Sequence, residues 1–210
     1  MMAVALIPAY NEDKTVAGVV KACKECLLLE EVVVISDGSS DQTVQRASSA
    51  GARVIDLSPN RGKDYALQAG VDNTREEILV LLDADLLGLR GDHVTALLQP
   101  VLEGRVQTTL GVFRHGTWQT DLSQNLTPFL NGQRCMHRQL WLDAVSRRLG
   151  VGYGLETVLT RYIRQHGISL ARVPLEGVSQ VRKEQKVGFL AGLRWRLRMY
   201  RQILAALRRR

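Results

Sequence analysis

Asp83 and Asp85 stand one residue apart, directly after the apolar run Ile78-Leu79-Val80-Leu81-Leu82. Carboxylates at that spacing supply hard oxygen ligands of the kind that hold Mg2+ or Mn2+, and a cation there could grip phosphate oxygens and neutralise a departing diphosphate. An apolar run without polar interruption reads as a strand buried on both faces, as in a parallel sheet, because a half-buried strand would alternate. Ligands of open α/β sheets collect at the carboxyl ends of the strands. If the extended backbone continues through Asp85, the even spacing turns both acids to the same side. A polar loop that merely follows a strand is the competing reading, and the pair alone does not separate the two.

The elements around this run repeat its arrangement. Ala3 to Ile7 is an apolar run closed by Pro8, and Val32 to Ile35 and Val54 to Leu57 are two more. Apolar residues recur at helical spacing from Thr15 through Leu29, with Asp13 or Thr15 as N-cap. Asp41 can cap a second helix that ends at Gly51, and Asn60-Arg61-Gly62-Lys63 leads into a third, to about Asn73. Strand and helix alternate with short connections, the pattern of a parallel sheet covered on both faces. Each predicted strand end carries polar groups: Tyr10, Asn11 and Glu12, then Asp37 and Ser39, then Asn60 and Lys63, then Asp83 and Asp85. Loops are polar in any protein, yet these include acids suited to a base and ribose, a lysine for phosphate and a metal-type acid pair. No G-x-G-x-x-G follows the first strand and no G-x-x-x-x-G-K-[ST] occurs, which disfavours a dinucleotide dehydrogenase and a P-loop NTPase.

With 210 residues, 45% of them hydrophobic, the chain can bury the core of one domain. No run reaches membrane-spanning length, and Met1 to Ile7 lacks the basic start of a signal peptide, so a cytoplasmic location is the expectation. Cys23 and Cys26 form a C-x-x-C inside a helical pattern, with Cys135 far away and no second pair to complete a zinc site; they read as core or surface thiols. The net charge of +7 is unevenly placed. Ten lysines and arginines between 182 and 210 face a single acid, Glu184, whereas the residues before them are mildly acidic, which argues for two jobs.

Four motifs in order carry a resemblance. Pro8-Ala9-Tyr10-Asn11-Glu12, Val34-Ile35-Ser36-Asp37-Gly38-Ser39-Ser40-Asp41-Gln42-Thr43, Asn60-x-Gly62-Lys63 and Asp83-Ala84-Asp85 resemble the motif series of family 2 glycosyltransferases of the GT-A fold, across roughly the first half of the chain. The resemblance implies a nucleotide-diphosphate sugar donor, with uracil as the base. By that analogy Pro8, Ala9, Tyr10, Glu12, Asp37 and Gly38 surround the base and ribose, and Lys63 lies near the base or diphosphate. Asp83 and Ala84 contact ribose or sugar, and Asp85, with Asp83, binds Mg2+ or Mn2+. The chain departs from many members at Ser36, where a second Asp is common.

The second half is expected to hold the acceptor. Asp92 can cap a helix through Leu102, and Arg105 to Phe113 reads as a fifth, alternating strand. Pro128 to Arg134 reads as a loop before a helix near Met136 to Leu149, and Gly132, Gln133 and Arg134 are grouped with the substrate contacts. Arg134 could hold a phosphate or be a surface arginine. Gly150-Val151-Gly152-Tyr153-Gly154 is dense in glycine and leads into Leu155-Glu156-Thr157 at the start of another helix. A carboxylate there suits the helix dipole; Glu156 could equally draw the proton from an acceptor hydroxyl. Inverting members of the family often carry an acid pair on the corresponding helix, where this chain has Thr157. Gly152 to Glu156 also resembles the retaining glucosyl-3-phosphoglycerate synthases, so stereochemistry stays open. Relatives, including dolichyl-phosphate-mannose-synthase-like enzymes, often place a metal-binding histidine where this chain has Gln180, a weaker neutral ligand. His115, His137 and His166 are the alternatives.

From Lys186 to Arg210, Phe189, Leu193, Leu197, Tyr200, Leu204 and Leu207 form one apolar stripe with arginines largely off it. Such a helix packs on the core, joins a homodimer or lies on an anionic membrane surface, where Trp195 and the arginines fit. No nucleic-acid module is recognisable. The expectation is an α/β GT-A enzyme at 1–180, with a nucleotide-sugar half at 1–104 and an acceptor half at 105–180, followed by a basic amphipathic helix at 181–210. It would move a hexose to a lipid or polyprenyl phosphate or to a small phosphorylated acceptor, in the cytoplasm or peripherally on the membrane's inner face. The catalytic assignments are Glu156 and Asp85. A catalytically weakened scaffold or sugar-nucleotide sensor is the alternative, and motif order argues against a nucleotidyltransferase.

Overall fold

The computed structural model describes residues 2–114, 132–145 and 154–181. Strands β1 (Ala3–Ala9), β2 (Glu31–Asp37), β3 (Arg53–Leu57) and β4 (Ile78–Leu81) alternate with helices α1 (Val16–Glu25), α2 (Thr43–Ser49) and α3 (Lys63–Asp72). After β4 come β5 (Leu86–Leu87), α4 (Gly91–Leu102), β6 (Thr108–Arg114), β7 (Arg134–His137), α5 (Arg138–Val145), α6 (Leu155–Gln165), β8 (Leu170–Glu176) and β9 (Ser179–Gln180). Seven strands form one sheet in the order β3-β2-β1-β4-β7-β6-β8. Its left half is parallel, β7 runs antiparallel between β4 and β6, and β8 is parallel to β6. β5 and β9 pair separately as a short antiparallel ribbon.

Side chains of the central strands are buried on both faces, as the uninterrupted apolar runs predict. Along β4, Ile78, Val80 and Leu82 join one core with α1 and α4, while Leu79 and Leu81 join the other with α3, α5 and α6. β1 and β2 divide their residues in the same alternating way. The result is a three-layer α/β sandwich with the carboxyl ends of β1, β2, β3 and β4 on one edge. Cys23, Cys26 and Cys135 are buried free thiols, which selects the core reading. No helix among the described residues is long and apolar enough to cross a membrane.

Several boundaries differ from the sequence reading. β4 stops at Leu81, and Ala84 and Asp85 lie in a turn, so the even spacing of the two acids does not place them on one side of a strand. The antiparallel β5–β9 pairing, with Leu86 opposite Gln180, imposes that turn. Residues 105–107 lie outside β6, and the strand's side chains are buried nearly throughout rather than alternating, as expected of an interior strand of a sheet covered on both faces. Arg134–His137 is a strand, where a loop and the start of a helix are expected; the helix begins at Arg138. Its partner β4 would otherwise present an open edge in mid-sheet. α1 ends at Glu25 rather than Leu29, and Leu27 is 95% exposed. Pro128 to Asn131, His115, Ser146 to Leu149, the glycine stretch through Tyr153 and the tail beyond Val181 lie outside the described residues.

Candidate active site

The loops after β1 and β2 are laced together. Ser40 N–H donates to Asn11 Oδ1 at 2.8 Å, Asn11 N–H to Ser39 Oγ at 3.1 Å, and Glu12 N–H to Thr43 Oγ1 at 2.8 Å. Asn11 holds a positive φ of 54°, a conformation that asparagine tolerates better than most residues. Tyr10 is half exposed at the rim, whereas Ala9 and Ala84 are buried. Asp37 is also buried, and its carboxylate accepts from Arg61 N–H at 2.9 Å and Gly62 N–H at 2.7 Å. Asn60 Nδ2 donates to the Asp37 carbonyl. Gly38 permits this contact: its φ is +73°, and a Cβ there would stand 2.9 Å from Asn60 N. Asp37, expected at the base and ribose, thus anchors the turn that launches α3. Ser36, the departure from the family pattern, is fully buried.

That anchoring fixes Lys63, the first residue of α3. Lys63 Nζ lies 2.6 Å from Asp83 Oδ1 and 2.8 Å from Glu156 Oε1. Burial alone would depress the lysine, but the carboxylates of Asp83 and Glu156 outweigh it and hold the ammonium above the usual lysine range. Asp83 Oδ2 accepts from Gln133 Nε2 at 2.8 Å and from Gln180 Nε2 at 2.7 Å. Gln180 therefore occupies the site but donates to Asp83 through its nitrogen. Gly132 lets the backbone enter: a Cβ there would meet Lys63 Nζ at 2.8 Å and both Asp83 oxygens at 2.9 Å.

Arg134 is 1% exposed, which rules out the surface reading. Its guanidinium donates to Thr160 Oγ1 at 2.8 Å, and burial, partly countered by Glu156, lowers it to about 10. It stays cationic at neutral pH and lines a cleft with Pro8, Lys63, Asp83, Gly132 and Glu156. Gly154 is the N-cap of α6, so no side chain of that residue can cap the helix. Asp64, a residue that sequence reasoning missed, approaches Leu155 N–H at 3.5 Å. Burial and the Glu156 carboxylate raise its pKa. The amino ends of α3 and α6 thus meet at the cleft, and their positive dipole ends face carboxylates from both.

Among the described residues no three side chains of His, Cys, Asp or Glu converge as a metal site, and His137 and His166 supply none. Mg2+ commonly takes one or two carboxylates and completes its shell with phosphate and water. Such a shell fits Asp85, whose carbonyl is fixed by Val181 N–H at 3.1 Å, better than Asp83, whose oxygens accept from three N–H donors. Gln180, one residue before Val181, carries an amide oxygen, a neutral hard donor, while its nitrogen is engaged with Asp83.

The sequence profile of Glycosyl transferase family 2 matches residues 4–150. The chain belongs to glycosyl transferase family 2. Within this family it is 35% identical over 106 residues to glucosyl-3-phosphoglycerate synthase of Mycolicibacterium smegmatis, covering 46% of this chain and 35% of that protein. It is 33% identical over 98 residues to 4,4'-diaponeurosporenoate glycosyltransferase of Staphylococcus aureus, covering 44% of this chain and 26% of the relative. The aligned segments therefore span about a third or less of these relatives. The crystal structure of glucosyl-3-phosphoglycerate synthase from Mycobacterium tuberculosis with Mn2+, UDP-glucose and phosphoglyceric acid superposes with a TM-score of 0.71 at 26% identity, covering 86% of this chain and 72% of that one. The family membership agrees with the motif resemblance, and the α/β sandwich is the GT-A fold of these neighbours.

Proposed function

We propose that this family 2 member is a glycosyltransferase that moves a hexose from a UDP-sugar, with Mg2+ or Mn2+ at Asp85, to a small phosphorylated acceptor. The observation that carries this reading is the Lys63 bridge between Asp83 and Glu156 at the carboxyl edge of the sheet. It joins the donor half, 1–104, to the acceptor half, 105–180. A divalent cation bound there would neutralise charge on the leaving diphosphate.

The protein's own groups do the rest by position. Asp37 sets the turn that presents Lys63, and the ammonium can pass from a carboxylate to a phosphate oxygen as the donor arrives. Gln133 and Gln180 hold Asp83 in one orientation, which favours a fixed contact with ribose or sugar. Glu156, on the first turn of α6, faces the acceptor side, where a carboxylate can accept a proton or steady the reacting hydroxyl. Arg134 gives the cleft a buried cation suited to an anionic acceptor.

Calorimetric titration of UDP and GDP with Mn2+, then with EDTA, tests the donor assignment. Metal-dependent binding of UDP supports it, and no binding of either nucleotide under any condition overturns it. An acceptor panel of 3-phosphoglycerate beside polyprenyl phosphate then separates the small acceptor from a lipid one. A cytoplasmic location goes with the small acceptor. Docking of 181–210 on the membrane's inner face goes with the lipid.

A further inference from the structure

Two consecutive residues of α3 grip two consecutive residues of α6. Lys63 takes the Glu156 side chain at 2.8 Å, and Asp64 Oδ1 stands 3.5 Å from the Leu155 amide. Helix α6 needs that second grip. Its N-cap is Gly154, which has no side-chain oxygen to offer the first N–H groups. Gly154 also sits at φ +26°, with its Cβ position 3.1 Å from Glu156 Oε2, so a larger capping residue there would crowd the carboxylate. The cap is supplied from across the cleft.

We propose that Asp64 is a positioning residue for Glu156, holding the amino end of α6 against α3 so that the Glu156 carboxylate stays within reach of Lys63. Three observations converge: the Asp64–Leu155 approach, the side-chain-free N-cap, and the Lys63–Glu156 bond one residue along on both helices. The net rise in the Asp64 pKa from burial and Glu156 is consistent with a carboxyl group packed against that helix end. In effect, the acid partner of Glu156 comes from α3 instead of position 157, where the chain has a threonine. This role rests on Glu156 serving the transfer reaction proposed above.

The test compares Asp64→Ala, which removes the acceptor oxygen, with Asp64→Asn, which keeps an oxygen at the same reach without the charge. UDP release from UDP-glucose is followed with Mn2+, with water or 3-phosphoglycerate as acceptor, together with amide exchange at Leu155 and a thermal melt. Asp64→Ala is expected to lower kcat on the order of 10-fold, because small displacements of reacting groups cost at least that. The KM for UDP-glucose should stay within about twofold, since the donor contacts are untouched. Leu155 exchange should accelerate, and Asp64→Asn should restore both kcat and exchange to within about threefold. Unchanged kcat and exchange in Asp64→Ala would overturn the proposal. So would a folded Asp64→Asn variant that fails to restore them, which also decides the matter if Asp64→Ala does not fold. If the wild type releases no UDP, the glycosyltransferase reading fails by itself, and the exchange comparison still shows whether Asp64 holds α6.

Discussion

A methyl group on Gly132 would stand 2.8 Å from the Lys63 ammonium nitrogen and 2.9 Å from each oxygen of Asp83. The main chain at this point enters the ion pair so closely that only a hydrogen fits.

Gly132→Ala should therefore displace the Lys63–Asp83 pair without disturbing the cores, since Gly132 lies before β7 rather than in it. The expected result is a loss of turnover of 10-fold or more, with stability lowered by an amount typical of mild overpacking, about 1–3 kcal/mol. Steady-state kinetics beside a thermal melt would check it; wild-type kcat with a normal melt would show that the approach is not needed.

Lys63→Met removes the cation that Asp83 and Glu156 share. Two carboxylates then face one another without a counter-charge, and the cleft loses the ammonium proposed above to receive a phosphate oxygen. Turnover should fall by roughly 10²–10³, the range seen when one stabilising donor is lost. A variant that loses stability but keeps its rate would assign Lys63 to structure instead.

For Asp85→Ala the expectation is loss of the metal-dependent part of UDP binding, with the fold intact because β4 ends at Leu81. Titration of UDP with Mn2+ and with EDTA should give the same weak isotherm in the variant. A persistent Mn2+ effect would move the cation to other ligands.

The strand ends that present these groups were legible because β1, β2 and β4 contain uninterrupted apolar runs closed by Pro8, Ser36 and Asp83, and both faces of each are buried. β7 was hidden for the opposite reason. Arg134-Cys135-Met136-His137 has neither alternation nor an apolar run, and it becomes a strand through pairing with β4 and β6, a tertiary effect. Asp85 was placed at the right sheet edge on the wrong local geometry, since nothing in Leu86-Leu87 announces a partner at Ser179-Gln180. The engagement of Asp37 with Arg61 and Gly62 was equally hidden, because a carboxylate on backbone N–H groups leaves no mark in sequence spacing. Asp64 was missed because an acid on the first turn of a helix is explained by the dipole without any partner.

Acid should weaken the molecule through His93. The ring is 5% exposed, and Nδ1 accepts from Arg90 N–H at 3.3 Å while Arg90 Nη2 lies 2.9 Å from Nε2. Burial, then Arg90, lower its pKa, against smaller opposing pulls from Asp92 and Glu176. The folded form therefore holds the neutral ring more strongly than the unfolded chain does. This contribution is complete above the ordinary histidine value of about 6.5 and is lost as pH falls below it. Melts from pH 8 to pH 5 should decline less steeply for His93→Asn than for the wild type; parallel curves would rule His93 out.

The Lys63–Glu156 bond joins residues 93 apart in the chain, and Gln180 reaches Asp83 across 97. During synthesis, β1 to β4 can emerge with their helices well before either partner exists. At about 5–20 residues per second, the lysine waits roughly 5–20 s for its glutamate. The nascent first half thus carries a lysine and an aspartate with no third member. Both contacts close only when translation has delivered α6 and β9.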